Sequence, residues 1–284
     1  MQTIVITGVS TGIGYAAAKV MTARGYRVFG SVRSQVDAER VQSELGDNFV
    51  PLIFDVIDTQ AVAEAAACVR EALAGSTLAG LVNNAGIAVS GPLLEVSEDD
   101  YRQQLEVNLM GPFLVTQAFA PLLGVDQALQ GVPGRIVNIG SVSGIRAMPF
   151  LGPYSASKFG LEGYSESLRR ELMLFGIDVI MIGPGPVKTA IWDKAEALDI
   201  AQYSASPYRP MLERFQKVFL RQGRDGFPAD YLAELIHTAL TTAKPKVRYS
   251  VVKGRVMEKL MMAVASKRTL DKAIAKMLGL QKKA

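Results

Sequence analysis

The chain has 284 residues, 49% of them hydrophobic and 20% charged, with a formal net charge of +4. That length buries one sizeable core and is short for two ordinary enzyme domains, so a single domain over residues 1–284 is expected. One cysteine, Cys68, and one histidine, His237, exclude a disulfide framework, a zinc or other metal centre and a Ser-His or Cys-His nucleophile pair; the mild positive balance suits anionic small molecules and calls for no nucleic acid.

The first apolar run, Thr3 to Ile6, is far too short to span a membrane and has no charged leader before it, so a cytoplasmic chain is expected. Strand-like runs then alternate with helix-like stretches: Thr3 to Thr7, Tyr26 to Val32, Phe49 to Phe54, Gly80 to Asn83, Arg135 to Ile139, Ile177 to Ile182 and Lys246 to Val252. Their nearly continuous apolar character marks strands buried on both faces. The expectation is an α/β fold: a Rossmann-like, doubly wound parallel sheet of about seven strands with helices on both faces, binding ligands beyond the carboxyl ends of its strands.

The first strand runs into Thr7-Gly8-Val9-Ser10-Thr11-Gly12-Ile13-Gly14 and then an amphipathic helix. Glycines there allow a tight turn and close approach of backbone to a pyrophosphate, so Gly8, Ser10, Thr11, Gly12, Ile13 and Gly14 are candidate cofactor contacts. The second strand ends in Gly30-Ser31-Val32-Arg33-Ser34, without the acidic residue that would accept from a ribose hydroxyl in an NAD site. Arg33, with Ser10, suits a 2′-phosphate, which points to NADP(H); the alternative is a solvent-facing Arg33 with Asp37 on the ribose. Asp55 and Val56, after the third strand, are placed for the adenine, or Asp55 caps the next helix together with Asp58. Asn83-Asn84-Ala85-Gly86 offers small residues, Asn84, Ala85 and Gly86 among them, where backbone can lie against a flat ligand, or is only a tight loop.

A helix capped by Ser97, with Glu98, Asp99 and Asp100 in its first turn, runs through Asn108 and meets Pro112. Proline cannot donate to the Asn108 carbonyl, so a kink is expected there, with a water on the freed oxygen leading toward Lys158. Ser141 closes the fifth strand, and Pro153-Tyr154-Ser155-Ala156-Ser157-Lys158 opens a helix that puts Tyr154 and Lys158 on one face. Hydride transfer to a carbonyl builds an alkoxide that needs a proton, and an ammonium beside the phenol is expected to pull its pKa toward working pH. Ser141 supplies a hydroxyl for the substrate oxygen.

Residues 190–228 read as a substrate lid, and Met148, Phe150, Trp192 and Tyr203 are candidate substrate contacts, unless such side chains form the lid's own core. Residues 255–280 read as a helical C-terminal segment packing on the sheet or on a second subunit, with contact to a membrane surface as the alternative.

These motifs resemble the short-chain dehydrogenase/reductase family over almost the whole chain: Thr7-Gly8-x-x-x-Gly12-x-Gly14, Asn83-Asn84-Ala85-Gly86, Asn108, Ser141, Tyr154-x-x-x-Lys158 and Pro184-Gly185-Pro186-Val187-x-Thr189. The resemblance implies a catalytic tetrad of Asn108, Ser141, Tyr154 and Lys158, the last two also touching the cofactor. It also implies nicotinamide contacts from Pro184, Gly185, Val187 and Thr189, and a homodimer or homotetramer. Stretches such as Lys244-Pro245-Lys246-Val247-Arg248-Tyr249 resemble the NADP(H)-using hydroxysteroid and retinol dehydrogenases, which implies a hydrophobic carbonyl or alcohol substrate. A protein that binds NADP(H) and senses it without turnover is the alternative, although a tuned phenol would serve it no purpose.

Overall fold

A computed structural model describes residues 1–189, 200–252 and 266–281. Seven strands form one parallel sheet: β1 (Thr3–Ile6), β2 (Arg27–Val32), β3 (Phe49–Ile53), β4 (Gly80–Asn83), β5 (Arg135–Ile139), β6 (Asp178–Pro184) and β9 (Arg248–Val251), ordered β3-β2-β1-β4-β5-β6-β9. The order reverses between β1 and β4, which opens a crevice at their carboxyl ends. A small parallel pair, β7 (Val187–Lys188) and β8 (Phe227–Pro228), ties the segment after β6 to the chain just before residue 229.

Helices α1 (Gly12–Ala23), α2 (Gln35–Leu45) and α8 (Ala229–Thr241) belong to one face; α3 (Thr59–Leu73), α4 (Glu98–Leu105), α5 (Gly111–Phe119) and α6 (Gly152–Glu171) cover the other. Alternate residues of each strand feed the two cores: Ile4, Ile6 and Val137 enter one, Val5, Leu81 and Ile136 the other, all essentially inaccessible. Each such side chain contributes about 1.5–3 kcal/mol on burial, which is why the strands read as unbroken apolar runs.

Local chemistry starts the helices where polar residues precede an apolar face. Ser34 accepts from the Asp37 N–H at 3.2 Å, Asp58 from Ala61 at 3.0 Å and Ser97 from Asp100 at 3.1 Å. With Asp58 as the cap, the Asp55 carboxylate is left to accept from the Ile57 N–H at 3.3 Å, and it lies 3.8 Å from Arg33.

The helix through Asn108 changes form ahead of Pro112. A π-helical turn, Glu106–Met110, separates α4 from α5, with the Gly111 N–H reaching back to the Glu106 carbonyl. The α6 stripe of small residues lets this segment approach: a Cβ on Gly160 would come 2.9 Å from the Leu109 side chain.

The described parts of residues 200–228 and 266–280 meet each other. Helix α7 (Arg209–Arg224) and helix α9 (Lys267–Leu278) pack against each other, with Phe150, Leu151, Tyr203, Leu212, Phe215 and Leu278 in a third apolar cluster. The C-terminal helix rests on α7, where its apolar Leu278 and Ile274 join the aromatic cluster.

Candidate active site

The cleft beyond the carboxyl ends of the strands has a volume of about 1400 Å³ and runs from the β1–α1 turn to α7. Its shape at one end is set by glycine. Gly8 and Gly12 have φ of +69° and +66°, a left-handed backbone in which other residues are strained. A Cβ on Gly14 would collide with the Gly8 carbonyl and the Asn84 amide.

Asn84 holds that turn. Its Nδ2 donates to the Thr7 and Gly8 carbonyls at 2.9 and 3.0 Å, while Thr7 Oγ1 accepts from the Asn84 and Ala85 N–H groups. Ser31 on β2 accepts from the Gly8 N–H at 2.9 Å, and Arg40 donates to the Ser10 carbonyl at 2.7 Å. The loop is thus fixed from three elements. Ser10, Thr11, Ile13, Arg33, Asp55, Val56, Ala85 and Gly86 line the cleft beside it. Arg33 is 71% exposed at the rim, and its head can turn toward a ligand at little cost. Asp37 is held below the usual carboxylate range, first by the hydrogen bond from Arg40.

At the centre of the cleft, α6 presents Tyr154 and Lys158, and the turn after β5 presents Ser141. The Ser141 hydroxyl hydrogen-bonds the Tyr154 phenol and also accepts from the Ser143 N–H at 3.0 Å. Lys158 is buried; its Nζ donates to the Ile139 carbonyl at 2.8 Å and lies 5.8 Å from the Tyr154 ring centre. Asn108 does not face the cleft directly. Its side chain accepts from the Ile87 N–H at 2.8 Å and donates to the Ile87 carbonyl at 2.9 Å, and Nδ2 also reaches Ser157 at 3.3 Å.

The electrostatics correct one expectation. The phenol of Tyr154 is pushed above its ordinary value, because burial penalises phenolate more than the Ser141 hydrogen bond favours it. Lys158 is itself pushed down to about 8 by burial, with only Glu162 opposing. Burial of the two groups thus outweighs the pull of the ammonium on the phenol.

A family model described as short chain dehydrogenase matches residues 2–199. The chain belongs to the short-chain dehydrogenase family. Among curated proteins it is 37% identical over 276 residues to the NADPH-dependent 3-dehydrocapnine reductase of Ornithobacterium rhinotracheale, covering 97% of both chains. It is 34% identical to the 17-beta-hydroxysteroid dehydrogenase type 6 of Bos taurus, covering 87% of this chain and 79% of that one. A short-chain dehydrogenase/reductase from Burkholderia phymatum, solved in complex with NAD, superposes with a TM-score of 0.75 at 25% identity, over 92% and 90% of the two chains. This short-chain dehydrogenase is an oxidoreductase built on the expected fold.

Sequence reasoning also missed several residues of the site. Gln104, wholly buried one turn before Asn108, accepts from the Val89 N–H at 2.6 Å and donates to the Ile87 carbonyl at 3.1 Å, so the two amides together splint residues 87–89 against the cleft. Their spacing of four was the available signal. Leu151, Val218, Phe219, Met277 and Leu278 line the outer cleft, and no local pattern distinguishes them from core residues. Of the four substrate candidates, Met148 lines the cleft. Phe150 and Tyr203 are buried in the lid's aromatic cluster, with Phe150 edge-on to Phe215 and Tyr208, which is the alternative of a lid core. Trp192 lies outside the described residues.

Proposed function

We propose that this short-chain dehydrogenase reduces a hydrophobic ketone or aldehyde, or oxidises the matching alcohol, with NADP(H), using Tyr154 as the proton-transferring group. The observation carrying this reading is the Tyr154–Ser141 hydroxyl pair beside buried Lys158, in a cleft whose other end is a glycine turn. That turn fits a dinucleotide: two positive-φ glycines and a Gly14 with no room for a Cβ leave backbone N–H groups at the start of α1 facing the cleft.

Gly8, Ser10, Thr11, Gly12 and Ile13 would hold the pyrophosphate, with Gly14, which does not line the cleft, letting the turn close behind them; Asp55 and Val56 would hold the adenine, Asn84, Ala85 and Gly86 the ribose side, and Pro184, Gly185, Val187 and Thr189 the nicotinamide. Arg33 and Ser10, at a β2 end that carries no acid before Asp37, favour a 2′-phosphate. The NADPH dependence named for the relative from O. rhinotracheale supports the same choice. The bound nicotinamide supplies or takes the hydride.

The rest falls to the chain. Ser141 and Tyr154 hydrogen-bond the substrate oxygen, orient the carbonyl and polarise it. Because burial raises the phenol, Tyr154 is protonated at neutral pH and donates as the oxygen gains charge, which suits reduction. Lys158, beside it, stabilises the phenolate that results. Asn108 and Gln104 keep residues 87–89 and the start of α6 in register through Ser157.

Met148, Leu151, Phe215, Val218, Phe219, Met277 and Leu278 give the outer cleft an apolar wall, suited to a bulky or long-chain substrate. The steroid named for the relative from Bos taurus agrees with such a class. The proposal includes a single domain over residues 1–284 that works as a homodimer or homotetramer in the cytoplasm. Exposed Met110, Phe113 and Phe159 on the α5–α6 side, and Gly163 facing open space, support subunit pairing there. No helix among the described residues is long and apolar enough to cross a membrane.

The test is NADPH oxidation over a panel of apolar ketones and aldehydes, with Tyr154→Phe as control. Turnover lost in the variant while NADPH still binds is expected. Tight NADPH binding without turnover on any carbonyl would point instead to a sensor.

A further inference from the structure

We propose that Glu162 and Arg248 are positioning residues: their ion pair clamps the turn that carries Ser141 and sets the charge behind the Lys158 ammonium. This rests on the oxidoreductase reading of the site.

Glu162 lies one turn beyond Lys158 on α6, and Arg248 opens β9, the sheet's edge strand. The Glu162 carboxylate accepts from Arg248 Nε at 3.1 Å and Nη2 at 2.9 Å, a fork-like pair with both side chains only 21% exposed. Arg248 Nη2 also reaches the Ser141 carbonyl at 3.4 Å, and its Nη1 bonds Ser250. One guanidinium therefore holds α6, β9 and the catalytic serine's own backbone.

Three glycines border this pair, although a Cβ on Gly140 or Gly144 would first meet Met181 or the Lys158 carbonyl. A Cβ on Gly140 would lie 3.3 Å from the Glu162 carboxylate, and one on Gly144 would lie 3.1 Å from Glu162 Cγ. One on Gly183 would collide with the Arg248 head. Gly140 and Gly144 flank Ser141, and Gly183 precedes Pro184, so the pair is seated between the serine turn and the proposed nicotinamide turn. A half-buried ion pair contributes little net stability compared with apolar side chains of the same volume, so stability alone does not account for this placement.

The charged or titratable groups facing Lys158 are few among the described residues. Tyr154 and Glu162 share its helix, and Arg248 of β9 acts through Glu162. From β5 and the following turn come only the Ile139 carbonyl and the Ser141 hydroxyl. From α4 and the π-helical turn come the neutral amides of Gln104 and Asn108, by way of Ser157. Glu162 favours the ammonium, while Arg248 partly cancels that carboxylate. The two variants must therefore act in opposite directions.

The experiment follows the Lys158 side chain by 13C NMR in lysine-labelled full-length protein, with Lys158→Met to assign its signal. Glu162→Gln is expected to lower the titration midpoint by about one pH unit, and Arg248→Met to raise it by a comparable amount. Arg248→Lys, which keeps the charge, should restore the wild-type midpoint, and Arg248→Gln replaces the methionine variant if that one does not fold. In NADPH-driven ketone reduction the alkaline limb of kcat/KM should move with the midpoint. A merely structural role would lower Tm and kcat at every pH and leave the midpoints where they were. Midpoints that stay fixed, or move together in one direction, overturn the proposal. A wild type inactive on every carbonyl overturns the oxidoreductase reading instead, and is recognised by NMR shifts that still follow the pair.

Discussion

Replacing Lys158 with methionine removes a buried ammonium while leaving a side chain of similar length. The lysine is 6% exposed, and burial takes its pKa from 10.5 to about 8. At ~1.4 kcal/mol per pH unit, that fall corresponds to about 3 kcal/mol of native-state cost for keeping the group charged. The penalty is fully present below the folded value of about 8 and disappears as pH rises through the unfolded value of 10.5. Against it stands the Nζ bond to the Ile139 carbonyl, whose loss costs about 1 kcal/mol. Lys158→Met should therefore be more stable than wild type by about 2 kcal/mol at pH 7, with the advantage shrinking toward pH 9.5. Urea unfolding of both proteins from pH 6.5 to 9.5 measures this, and ketone reduction by the variant should fall about a hundredfold or more. A variant less stable than wild type at pH 7, or a difference that ignores pH, would refute the claim that burial dominates this lysine.

Two further outcomes follow from the cofactor end of the cleft. Gly14→Ala must push its methyl into the Gly8 carbonyl and the Asn84 amide, so the Kd for NADPH, read by fluorescence titration, should rise about a hundredfold, with α1 itself retained. An affinity near that of wild type would mean the turn is not built for close approach. Arg33→Ala should weaken NADPH about tenfold or more and leave NADH unaffected, because only the 2′-phosphate distinguishes the two ligands. Equal losses for both would assign Arg33 to its ion pair with Asp55 instead.

Much of the molecule was legible from local pattern. The seven strand runs, the caps at Ser97 and Asp58, the interruption of the α-helix before Pro112, and the placing of Tyr154 and Lys158 in the first turns of one helix are all set within a few residues. Tertiary structure alone decided what those side chains meet. Glu162 and Arg248 are 86 positions apart, and nothing near either one announces the other. Phe150 and Phe219 are equally aromatic on paper; one entered the lid's core and the other the cleft wall, since that choice depends on how α7 and α9 pack. The pKa values went the same way. Spacing places an ammonium near a phenol, but the desolvation that outweighs it comes from the whole surrounding fold, because the effective dielectric is a property of the packed interior and not of any segment.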